Sequence, residues 1–136
     1  MALSDSHIKL VQALRSYVED TYGANKNILI YTDNPDQNIK ARVPKFDGFI
    51  PDLYARTISP DRFILGEAKT AGDVETRHSI YQYEQYLSYC ACHLNSILLF
   101  AVPWTVVATL KNKIRIIKLR LYINNVNPIY IEPLFY

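Results

Sequence analysis

Residues 96–102, Ser-Ile-Leu-Leu-Phe-Ala-Val, form a run without a single charged side chain. Successive side chains of a strand point to opposite faces, so a strand built from this run is apolar on both. Such a strand is stable only where both faces are covered, in the middle of a sheet layered with helices. The run therefore directs the chain toward an α/β architecture. A length of 136 residues allows one domain with a real core, spanning residues 1–136, and not two.

The other segments fit one mixed sheet covered by helices. From Ser4 to Tyr22 the residues Val11, Leu14, Val18 and Tyr22 recur at helical spacing; Ser4 or Ser6 can cap the start and Gly23 stops the end. Asn27 to Thr32 has strand character, and Asp33-Asn34-Pro35-Asp36 reads as a turn. A polar stretch through Lys45 leads to a second extended segment, Phe46 to Arg56, in which Pro51 marks a bulge or bend. Ser59-Pro60-Asp61 is the next turn and Arg62 to Thr70 the third strand, which completes an antiparallel meander. Thr76 to Leu94 reads as a helix whose buried face is Tyr83, Leu87, Cys90 and Leu94. After the central strand, Pro103 suits the first turn of another helix, and Val106, Val107, Leu110, Ile114, Ile117 and Leu121 keep its period. From Ile114 the pattern also alternates; helix to about Arg120 is the preferred reading. Ile129 to Ile131 is a short edge strand. The order is α-β-β-β-α-β-α with a short tail.

Composition excludes several classes. Hydrophobic residues make up 49% and charged residues 21%, an ordinary globular balance. No apolar stretch reaches the roughly 20 residues of a membrane span, and Met1-Ala2-Leu3-Ser4-Asp5-Ser6 lacks the regions of a signal peptide. Cys90 and Cys92 fall on different faces of a helix, so they read as free thiols, with Cys90 in the core, in a reducing cytoplasm. His7, His78 and His93 are scattered without zinc spacing. The net charge of +2 is uneven. Residues 1–92 hold ten Lys/Arg against twelve Asp/Glu, whereas residues 93–136 hold five (Lys111, Lys113, Arg115, Lys118, Arg120) against Glu132 alone. A basic last third beside a carboxylate-rich middle fits a surface for a polyanion, or simply a solvated helix face.

The chemistry concentrates at two strand ends. Asp52 follows Pro51, and Glu67-Ala68-Lys69 closes the run Arg62-Phe63-Ile64-Leu65-Gly66. Side chains two apart on a strand share a side, so Glu67 and Lys69 project together while Ala68 faces away. Charged groups at the tip of a buried strand are costly to hold without a use. The plain alternative is a surface Glu-Lys pair on a strand.

This arrangement resembles the PD-(D/E)XK superfamily, the restriction-endonuclease-like nucleases, and the resemblance in element order spans nearly the whole chain. Gln82 and Tyr86, one helical turn apart, are similar to a Gln-x-x-x-Tyr element of some branches; Gln85 and Tyr89 repeat the spacing, so the register stays open, with Gln82 favoured because it enters the helix earlier. The resemblance implies a Mg²⁺-dependent nuclease acting on DNA, with Mn²⁺ as a substitute ion. Asp52, Glu67 and the carbonyl of Ala68 would hold the metal, and Lys69 would position water or stabilise the transition state. Many members add an acid from the first helix; Glu19 lies on the flank of its apolar face, whereas Asp20 points away. Arg77, His78, Tyr86, Lys111 and Lys113 are candidate contacts to nucleic acid, and Trp104 reads as packing. By analogy with minimal cores of this fold a homodimer is expected. The rival reading is a module of the same fold, or a subunit of a larger complex, that binds nucleic acid without cutting it. A third is a small α/β protein with a structural Glu67–Lys69 pair.

Overall fold

In a computed structural model of the protein, residues 4–23, 27–32, 49–58 and 60–133 are described. The turn expected at residues 33–36, the polar stretch to Lys45, the start of the second extended segment at Phe46 and the turn residue Ser59 lie outside them. The elements are α1 (Asp5–Tyr22), β1 (Ile28–Thr32), β2 (Leu53–Ile58), β3 (Asp61–Ala68), α2 (Arg77–Cys92), β4 (Ser96–Ala101), α3 (Val107–Arg120) and β5 (Ile129–Ile131), with one 3₁₀ turn over Trp104–Val106.

The five strands lie side by side in chain order. β1, β2 and β3 form the antiparallel meander, and β4 and β5 add parallel to β3. The two parallel steps are made by crossover helices, α2 between β3 and β4 and α3 between β4 and β5, as parallel pairs require. The uncharged run is β4, a strand with neighbours on both sides, and Leu98, Leu99, Phe100 and Ala101 are all buried.

Two cores result, one on each side of the sheet. On one side Leu10, Leu14 and Val18 of α1 pack on Leu53, Ala55, Ile64, Ala68, Leu99 and Ala101. On the other, Tyr83, Tyr86, Leu87 and Cys90 of α2 and Val107, Leu110, Ile114 and Ile117 of α3 pack on Leu65, Leu98 and Phe100. Each fully buried leucine contributes roughly 1.5–3 kcal/mol by removing its side chain from water. α1 begins at Ser4, whose hydroxyl accepts the His7 N–H at 3.1 Å, and it crosses β3 so closely that a Cβ on Gly66 would lie 3.2 Å from Leu53 Cβ and 3.3 Å from Leu14. Thr76 caps α2 in the same way, accepting from the Ser79 N–H.

Several boundaries differ from the sequence expectation. β2 starts only at Leu53, because Pro51 has no N–H to donate to a ladder and Asp52 spends its backbone N–H on a side chain. β3 ends at Ala68, although the Lys69 N–H still bonds to Ala101 at 3.0 Å. α2 stops at Cys92, so Leu94 is not on a buried helix face; it is 88% exposed. α3 starts one turn after Pro103, and Leu121 is its C-cap, followed by Tyr122 at a left-handed φ of 56°. Trp104, expected to pack, is half exposed. Among the described residues no helix is long and apolar enough to cross a membrane.

Candidate active site

The register of the β2–β3 hairpin sets the site. Leu53 pairs with Gly66, so Asp52, one residue earlier, lies opposite Glu67. Leu65 faces the α2 side and Ile64 and Ala68 the α1 side, so Glu67 and Lys69 share the α2 side. Asp52 and Glu67 are tied reciprocally. The Asp52 N–H donates to Glu67 Oε1 at 3.2 Å, and the Ala68 N–H donates to Asp52 Oδ2 at 2.8 Å. Two carboxylates are thereby fixed at the open end of one hairpin, away from its turn, by its own backbone.

Helix α2 supplies the second set of contacts. Gln82 Oε1 accepts a hydrogen bond from Lys69 Nζ, and the Tyr86 hydroxyl donates to Glu67 Oε1 at 3.4 Å. Lys69 Nζ stands 4.0 Å from Glu67 Oε2. Lys69, Glu67 and Gln82 are 8%, 3% and 7% exposed. Long polar side chains are rarely so buried unless paired, and here each has a named partner. The register left open by the sequence is resolved in space: Gln82 and Tyr86 reach the site, whereas Tyr89 stacks on His93 at 4.0 Å.

Burial drives the electrostatics. It pushes the Glu67 carboxyl well above the ordinary carboxylate range; the nearby Asp52 charge adds to the shift, and Lys69 opposes it. One lysine beside two acids in so dry a place leaves the charged form of Glu67 disfavoured. Perturbation of this kind by burial and a charge partner occurs at functional sites and in structural ion-pair networks alike.

One residue here was not singled out by sequence reasoning. His7 Nε2 lies 3.3 Å from Asp52 Oδ2, and this hydrogen bond raises the His7 pKa while burial opposes the rise. His7 Nδ1 is buried without a hydrogen-bond partner among the described residues. The available signal was phase: His7, Leu10 and Leu14 fall at i, i+3 and i+7, on the face that meets the sheet.

Other candidates lie elsewhere. Glu19 does not join the acids. It is more than three turns beyond His7, about 18 Å along the helix, and its carboxylate pairs with Arg15 at 2.8 Å in solvent. That end of α1 meets the opposite end of the sheet, where Tyr22 lies under Arg62 at the start of β3. Arg77 and His78 are exposed on the first turn of α2, and the His78 ring meets Phe49 edge to face at 5.0 Å. Lys113 pairs with Glu75 at 3.6 Å and Lys111 sits over the Tyr130 ring at 5.3 Å, so both belong to α3 contacts beside the site and not within it. Asp73 accepts from the Thr70 hydroxyl in the intervening turn.

Carboxylate and carbonyl oxygens are the donor type that a hard divalent cation takes. Among the described residues no three His, Cys, Asp or Glu side chains converge in a ready-made metal cluster. An ion would instead rest on Asp52, Glu67 and the Ala68 carbonyl, completed by water, which Mg²⁺ accepts readily. With both carboxyls ionised, acid would exceed the one lysine at the pair, and such an ion would offset that excess. The chain matches no protein-family model, no curated protein and no solved structure.

Proposed function

We propose that the protein is a metal-dependent nuclease that hydrolyses phosphodiester bonds of DNA at Asp52, Glu67 and Lys69. The observation that carries the reading is the pairing of Asp52 and Glu67 at the open end of one hairpin with Lys69 held beside them by Gln82. Asp52, Glu67 and the Ala68 carbonyl would hold Mg²⁺, or Mn²⁺ in its place. Such an ion supplies a Lewis acid for phosphoryl oxygens and lowers the pKa of water.

The side chains then have distinct tasks. Lys69, its ammonium oriented by Gln82, hydrogen-bonds a phosphate oxygen or the attacking water and stabilises negative charge as it builds on phosphorus. Glu67, steadied by Tyr86, orients the water. Water adds to phosphorus, the ester P–O bond breaks, and the products are a phosphomonoester and a free hydroxyl. Burial of the set removes competing solvent and strengthens each contact.

Incubation of the protein with plasmid, linear, single-stranded and branched DNA in Mg²⁺ or Mn²⁺ tests the reading. It stands if one substrate is cut and Glu67→Ala and Lys69→Ala cut at least a hundredfold more slowly. It falls if nothing is cut, or if the variants match the parent.

A second reading, a nucleic-acid-binding module or complex subunit without hydrolytic activity, has its own support. A groove of about 400 Å³ runs along α3, lined by Lys111, Arg115, Lys118, Asn124 and Asn127 with no acid among its lining residues. Salt-sensitive DNA binding without metal-dependent cleavage would favour this reading.

A further inference from the structure

The segments that hold the acids and the lysine also carry an aromatic cluster at the rim of the site. Phe49, three residues before Asp52, packs edge to face against His78 at 5.0 Å and against Tyr81 at 5.4 Å, with interplanar angles of 75° and 69°. Tyr81 directly precedes Gln82, and His78 lies one turn before it, so α2 presents both rings beside the residue that holds Lys69. Arg77, His78 and Tyr81 are exposed, Tyr81 by 42%. A groove is lined by Arg77, His78, Ile80, Tyr81 and Glu84. Glu84 is paired with Arg120 at 2.7 Å, which leaves Arg77 as the full charge of the groove without an ion pair among the described residues.

We infer that this rim is a stacking platform for unpaired nucleotides, so that the substrate class of the site is single-stranded DNA or a frayed end and not an intact duplex. The inference rests on the nuclease reading of the adjacent site and deepens it. An unpaired base has two open π faces, and an exposed tyrosine ring covers one at little entropic cost. In a duplex those faces are already taken by neighbouring base pairs. The two edge-to-face contacts of Phe49 fix the ring geometry in advance. Arg77 places a cation where the backbone of a stacked strand would pass. An apolar peptide would leave that cation without a partner in the groove.

The test is fluorescence anisotropy with a labelled oligonucleotide of about 20 nucleotides, a length that spans a single-strand site, and with its duplex. Both are titrated in EDTA at low salt so that binding is separated from cutting. The wild type is expected to prefer the single strand. Tyr81→Ala should weaken single-strand binding about tenfold and leave duplex binding within about twofold, while Tyr81→Phe keeps the wild-type value. Arg77→Gln should weaken both and flatten the salt dependence while the single-strand preference remains. Unchanged single-strand affinity in Tyr81→Ala, equal loss on both probes, no single-strand binding by the wild type, or failure of Tyr81→Phe to restore binding would each overturn the inference. A strand that is bound through Tyr81 while no DNA substrate is cut in Mg²⁺ or Mn²⁺ leaves the platform standing and removes the hydrolytic reading. A strand that is cut with Tyr81→Ala unimpaired in binding does the reverse.

Discussion

Gln82 holds Lys69: the amide oxygen, from the second turn of α2, accepts the ammonium proton at the end of β3. The lysine stands 4.0 Å from Glu67 Oε2, close enough to attract it, but its direct hydrogen bond goes to a neutral partner. This keeps the ammonium beside the acids without closing a tight ion pair over them.

Lys69 and Gln82 should therefore separate in kinetics. Lys69→Met is expected to reduce DNA cleavage by about 10²–10³-fold, the loss typical of one preorganised charge stabiliser. Gln82→Ala, which frees the lysine without deleting it, should cost about 10–100-fold. Single-turnover cleavage rates measure both, and a Gln82→Ala loss equal to that of Lys69→Met would show that orientation is the whole of the lysine's role.

Metal-free stability should fall as pH rises. The folded pKa of Glu67 is raised above the usual 4.5, and that of His7 above 6.5. Each group binds its proton more tightly in the native state, so the stability it contributes is fully present below the ordinary pKa and is lost as pH climbs through the folded value. Melting in EDTA is expected to give a higher Tm near pH 5 than near pH 8. Glu67→Gln should raise the Tm at pH 8 by several degrees and remove the part of the dependence that begins near 4.5. A flat wild-type profile between these pH values would contradict the charge imbalance at the pair.

Glu19→Gln should leave cleavage unchanged and alter stability by less than about 0.5 kcal/mol, the range of an exposed i,i+4 pair. Denaturant melts and the same cleavage assay check it. A tenfold fall in rate would mean that the far end of α1 reaches the substrate.

Leu14→Ala and Leu94→Ala test where the core ends. Leu14 is wholly buried against the sheet, and its truncation should cost about 2–5 kcal/mol. Leu94 stands in solvent beyond α2, and its truncation should fall within about 0.5 kcal/mol.

Much of this fold is legible in the chain because turn residues punctuate it. The uncharged run announces β4, Pro60 separates β2 from β3, and alternation puts Glu67 and Lys69 on one side. The same logic fails where a partner is distant or a stop signal is weak. His7 is polar and meets Asp52 from 45 residues away, so only its phase with Leu10 and Leu14 hinted at burial. A helical wheel places Glu19 on the flank of the apolar face but says nothing of which end of the sheet it overlies. Leu94 continues the period of α2 because His93 ends the helix in an extended conformation, without glycine or proline to mark the stop.

Gly66 lies where α1 crosses the β2–β3 hairpin, with no room to spare. The hairpin carries both acids, yet His7 reaches them from one side of the sheet and Gln82 and Tyr86 from the other. A slip of either helix by a single turn, about 5.4 Å, would strip the pair of one of its two supports. The two hydrophobic layers thus act as the jaws of a vice whose workpiece is a pair of carboxylates, and the grip of each jaw is set by packing many residues away.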